Sequence, residues 1–168
     1  MPIAQTFLPE LEHECATTRK LIALCPEQHA AWKPHSKSMA LGGLALHLAN
    51  ILTWAPRTVQ LTELDLAPPG GPPWTPPKFE SIARTLSIFD ANLAAARSAI
   101  AATSDAEMQV GWTLKKAGVP FFTLPRFACL RSFVLSHQIH HRGQLSVYLR
   151  LLDVPLPQVY GPTADAPL

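Results

Sequence analysis

The chain has 168 residues, which suits one domain covering 1–168, and its composition is 48% hydrophobic and 15% charged, which excludes disorder. A net charge of +2, with lysines and arginines scattered and no basic stripe, argues against a nucleic-acid partner. Three cysteines (Cys15, Cys25, Cys129) without a C-x-x-C pair, and an N-terminus lacking a basic region before an apolar core, predict a reduced cytoplasmic protein.

The first helix is expected over roughly Thr6–Cys25. Phe7, Leu8, Leu11, Cys15, Thr18, Leu21, Ile22 and Cys25 line its inner side, and Pro26 stops it. Pro9 fits only if it lies in the first turn. A polar connection containing Trp32 and His35 follows. The second helix should start at Ser36 or Ser38 as N-cap and end near Trp54, before Pro56. Its run from Ser38 to Pro56 holds His47, Asn50 and adjacent glycines, so it reads as a buried core helix and not as a membrane span. Gly42 and Gly43 weaken that helix, and their expected use is to let a neighbouring helix come close.

About Arg57–Pro77 reads as a proline-rich connection, with Trp74 as the one hint of a lid. A third helix over about Lys78–Ala102 follows from the period of Phe79, Ile82, Leu86, Phe89, Leu93, Ala96 and Ile100. Alternation at Met108, Val110, Trp112 and Leu114, then Ala117-Gly118, then an apolar run to Leu124, predicts a short hairpin or extended flap. Pro125 opens a last helix that runs to Leu152, and a proline-locked tail folds back over the other helices. The expected class is therefore all-α: a four-helix bundle with a long crossover between helices 2 and 3 and a hairpin or flap before helix 4.

The last helix carries an apolar stripe interrupted by two histidines, His137 and His141, one turn apart. His47 lies on the inner stripe of the second helix. Three buried neutral imidazoles leave several donors and acceptors unpaired, and one divalent ion shared by all three satisfies them together. His13, His29 and His35 read as solvated, and His140 points about 100° away from His141, toward a surface, interface or supporting position. The residue after His137 is Gln138, not the glutamate of H-E-x-x-H, so a zinc-protease reading fails. Arg142 and Gln144 are candidates for orienting ligands or joining helices. Trp32, Trp54 and Tyr148 are candidates for a pocket wall or for plain core, and no catalytic residue can be named.

The blocks Trp32-Lys-Pro-His-Ser-Lys-Ser-Met-Ala-Leu-Gly-Gly-Leu-Ala-Leu-His47 and His137-Gln-Ile-His-His141-Arg-Gly-Gln, with the ending around Val-Pro-Leu-Pro-Gln-Val-Tyr-Gly-Pro, resemble the DinB-like (DinB/YfiT) superfamily nearly end to end. The resemblance implies a helical bundle, commonly a homodimer, holding one divalent metal (Ni, Zn or Fe) at His47, His137 and His141. It further implies a small-molecule substrate and a metal-dependent transferase or hydrolase that activates a low-molecular-weight thiol or water. The alternative is a non-catalytic metal- or ligand-binding protein of the stress response.

Overall fold

A computed structural model describes residues 2–71 and 77–167. Trp74 lies outside the described residues. The first helix, α1 (Ile3–Ala23), buries Phe7, Leu11, Cys15, Thr18, Leu21 and Ile22. It starts earlier than expected because the Ile3 amide donates to the Asp105 carboxylate (2.7 Å), which caps the helix from a distant part of the chain. Pro9 therefore sits well inside the helix. It and Gln5, whose carbonyl loses its usual partner, are both exposed, so water can serve that carbonyl.

The second helix, α2 (Leu41–Ile51), has no side-chain cap. Its first amides are taken by carbonyls of the preceding loop instead, Leu41 by Trp32 and Gly42 by Ala30, both at 2.9 Å. Pro56 does not end the helical path. After a turn at Leu52-Thr53 the chain resumes as α3 (Trp54–Gln60), with Pro56 in its first turn, where a missing N–H removes no hydrogen bond. Neither adjacent glycine serves a helix–helix approach. A Cβ on Gly42 would meet the Phe79 ring at 2.7 Å, whereas among the described residues nothing lies within 4 Å of one on Gly43.

The all-α four-helix expectation is corrected by a three-stranded mixed sheet of order β1-β2-β3. Strand β1 (Glu63–Asp65) lies within the stretch read as connection. It pairs in parallel with β2 (Gly111–Lys116), through Glu63–Thr113, Leu64–Leu114 and Asp65–Lys115. Strand β3 (Val119–Pro125) returns antiparallel after a two-residue turn, Ala117-Gly118, with φ of 52° and 79°. The physical reason for the third strand is one side chain. The Asp65 carboxylate accepts from the amides of Ala67 (2.9 Å), Ala117 (3.0 Å) and Gly118 (2.7 Å), fastening β1 to the turn. The inner side of the sheet buries Trp112 and Leu114 against Cys129, beside Trp54, Phe122 and Phe133.

Between β1 and β2 runs α4 (Ile82–Ala101), capped by the Ser81 hydroxyl, which accepts from the Arg84 amide at 3.0 Å. A short α5 (Asp105–Met108) follows. The expected single last helix is composite: α6 (Arg126–Cys129), a π-helical segment Leu130–Ser136, and α7 (His137–Leu151). Helices α1 and α4 run antiparallel, tied by Arg19–Asp90 (2.7 Å) and Arg97–Glu12 (2.5 Å). Helices α2 and α7 also run antiparallel, since Tyr148 donates to the Met39 carbonyl (3.2 Å) at one end and Trp54 stacks on Phe133 at the other. The core lies between these pairs, with Leu44, Leu48, Ile51, Phe89, Leu145 and Leu149 buried. No described helix is long and apolar enough to cross a membrane.

Candidate metal centre

On α2 the residues Gly43, His47 and Asn50 recur at helical spacing, and with Trp54 at the start of α3 all are half-buried, so they form the rim of a groove. Facing them across the groove, α7 and the segment before it offer Phe133, His137 and His141, likewise half-buried. The groove brings the three imidazoles together. The Nε2 atoms of His141 and His137 are 2.9 Å apart, those of His47 and His137 3.4 Å, and one ring nitrogen from each lies within 4.8 Å of the others. Nitrogens bound tetrahedrally at 2.0–2.1 Å stand about 3.3 Å apart, so the donor set fits a single divalent ion.

The outer nitrogens fix which lone pairs face inward. His141 donates through Nδ1–H to the Gln144 Oε1 at 2.7 Å, and the Gln144 amide donates in turn to the His140 Nε2 at 3.1 Å. The neutral His141 ring then has its free lone pair on Nε2. His137 follows the π-helical segment, and its own amide bonds to the Val134 carbonyl. Two lone pairs facing each other at 2.9 Å repel unless a cation or a proton stands between them.

Protonation is disfavoured at all three. Burial, then the charges of His141 and His137, pushes His47 down to about 4. Burial and His141 lower His137 against the pull of the Phe133 carbonyl. Burial lowers His141 against its bond to Gln144. At neutral pH the three rings are neutral, the state a metal ligand needs.

The other candidates divide. Arg142 is nearly fully buried (2% exposed) but points away from the triad, to the Glu14 carboxylate (2.5 Å) and the Glu14 carbonyl (3.0 Å). Its guanidinium carbon lies 5.0 Å from the Tyr160 ring, whose hydroxyl donates to Glu14 at 2.9 Å. Trp32 packs edge-on against Tyr148 (centroids 5.6 Å apart) at the N-terminal end of α2. Trp54 stands at the other end, in a cluster with Trp112, Phe122 and Phe133. Sequence reasoning missed Glu14 and Tyr160 as the partners of Arg142. A signal existed for Glu14, a carboxylate set on the apolar stripe between Leu11 and Thr18. No such signal existed for Tyr160 or for the Phe133 carbonyl.

A model of the DinB family matches residues 1–167. Among solved structures, a DinB-like protein from Bacillus cereus ATCC 10987 aligns with a TM-score of 0.69 at 19% identity, over 95% of this chain and 98% of that one. A DinB-like protein (YjoA) from Bacillus subtilis aligns with a TM-score of 0.68 at 14% identity, over 97% and 99%. At these identities the likeness is one of fold. No curated protein sequence matches.

Proposed function

The chain belongs to the DinB family, and on that premise we propose that His47, His137 and His141 hold one divalent ion, with Ni, Zn and Fe the candidates, and that the site activates a small thiol or water for attack on a small electrophile. The observation that carries this is the approach of the His137 and His141 Nε2 atoms to 2.9 Å, with the outer nitrogen of His141 engaged by Gln144. Three imidazoles leave coordination positions open, as catalytic sites do. A divalent ion bound there lowers the pKa of coordinated water toward ~7 and deprotonates a coordinated thiol.

The chain's own groups do the rest. Gln144 holds the His141 ring in one tautomer, and the half-buried, stacked rings of Trp54 and Phe133 limit water on one side of the groove. A proton released by a thiol or water leaves through solvent at the half-exposed rim. The three cysteines are unbridged and buried, which supports the cytoplasmic part of this reading, and a homodimer belongs to it by family. The test is a purified, metal-replete protein assayed with thiol-plus-electrophile pairs. Turnover that vanishes in His47→Ala along with the metal supports the proposal, and elemental analysis finding no divalent metal in the wild type refutes it.

The non-catalytic reading, a metal- or ligand-binding protein of the stress response, is favoured by one observation. Among the described residues no carboxylate hydrogen-bonds any ring of the triad, so no general base is built in beside it. Metal binding without turnover across a broad panel would select it.

A further inference from the structure

The triad sits at the middle of the α2–α7 groove, and the two halves of that groove differ. Toward the C-terminal end of α2 the space is filled by Trp54, Phe133 and Phe122, with ring centroids 6.1 and 5.0 Å apart and interplanar angles of 22° and 4°. Toward the N-terminal end, one turn from His47 on the same face, stands Gly43. Its neighbour Gly42 has an evident packing reason, since a Cβ there would press on the Phe79 ring at 2.7 Å. Gly43 has none: its backbone is helical, and among the described residues no atom lies within 4 Å of where its Cβ would be. A glycine inside a helix weakens it, and here no close contact accounts for that loss.

Beyond Gly43 the walls are apolar. Met39, just ahead of α2, is 40% exposed, and Tyr148, whose hydroxyl bonds to the Met39 carbonyl, packs against Trp32. We propose that Gly43 is the specificity-determining residue of the site, keeping open the half of the groove that receives the apolar body of a thiol whose sulfur reaches the metal. This rests on the metal reading above. The thiol binds as thiolate, its proton passing to solvent, and its carbon body lies over the bare backbone of Gly43 toward Met39, Trp32 and Tyr148. Azide, a ligand with no such body, does not need the space.

The experiment compares wild type, Gly43→Ala and Gly43→Leu, each prepared metal-free and loaded with Co(II), by titrating benzyl mercaptan and azide against the cobalt absorption spectrum. Co(II) uptake should be equal in all three. Benzyl mercaptan should bind about tenfold or more weakly to Gly43→Leu, with azide unchanged. Gly43→Ala should melt about 2–4 °C higher, because a methyl enters empty space and favours the helix. If Gly43→Leu does not fold, the alanine variant carries the ligand test, with a smaller loss for the thiol and none for azide. Undiminished benzyl mercaptan binding in a cobalt-loaded variant overturns this inference alone, as does a lower melting temperature for Gly43→Ala. A wild type that takes up no Co(II) overturns the metal reading and this inference with it.

Discussion

Replacing Gln144 by Leu isolates what a residue outside the coordination sphere does for the three histidines. The Gln144 oxygen accepts from the His141 Nδ1 at 2.7 Å and is the one hydrogen bond that fixes that ring's tautomer. Without it, His141 can turn over or place its proton on the inward nitrogen, and either change must be reversed before metal binds. Partners of this kind alter metal affinity about 10–100-fold, or roughly 1.4–2.7 kcal/mol. Gln144 is exposed, so the fold itself should lose no more than about 0.5 kcal/mol. Competition with a chromophoric chelator at pH 7.5 reads the affinity, and thermal melting of the metal-free protein reads the fold. Gln144→Glu is the companion variant. Its carboxylate accepts the same hydrogen bond more strongly and should bind metal at least as tightly as wild type. A Leu variant within about threefold of wild type, with an unchanged melting temperature, would show that Gln144 does not orient His141.

Acid should weaken the metal-free fold. His47 is held neutral, at about 4 against an ordinary 6.5, so the unfolded chain takes up a proton that the folded chain refuses. Stability is therefore intact above pH 6.5 and falls as pH drops from there toward about 4; urea midpoints measured across that range should fall, and fall less in His47→Leu. Breaking the Glu14–Arg142 pair from one side, by Glu14→Gln or Arg142→Met, should cost about 3–5 kcal/mol, and the double variant should recover much of it in a urea double-mutant cycle. Additive losses would mean that the two side chains are not coupled. Ala117 occupies a left-handed conformation (φ 52°) in the hairpin turn, so Ala117→Asn should raise stability by about 1 kcal/mol, and a lower melting temperature would contradict that backbone geometry.

Much of the site could be read from residue order because it is local. His137 and His141 are one turn apart, and His47 stands in a run so apolar that an imidazole there demands a partner. The α4 period was equally plain from Phe79 to Ile100, although the helix itself begins only at Ile82, where the Ser81 cap sets its start. The sheet was hidden for the opposite reason. Strand β1 is only Glu63-Leu64-Asp65, too short to alternate, and its partner Thr113–Lys115 lies far along the chain. Pro56 and Pro9 misled for a shared cause. Proline ends a helix only where its missing amide is needed, and at Pro56 a turn had restarted the helix while at Pro9 the freed carbonyl of Gln5 is on an exposed face. The π-helical winding of Leu130–Ser136 has no sequence signature, and the contacts of Glu14 with Arg142 and Tyr160 join opposite ends of the chain.

Because α7 carries imidazoles on one side and the Glu14-bound guanidinium on the other, it is not free to spin about its own axis. A slip of one residue, about 100°, would bring Arg142 into water and seal a carboxylate away from its counterion, while swinging His141 out of register with His47. The angular position of the histidine rings is thus held by electrostatics on the opposite side of the helix. Alterations to the tail at Tyr160, on the far side of α7, should consequently be felt as a loss of convergence among the three imidazoles.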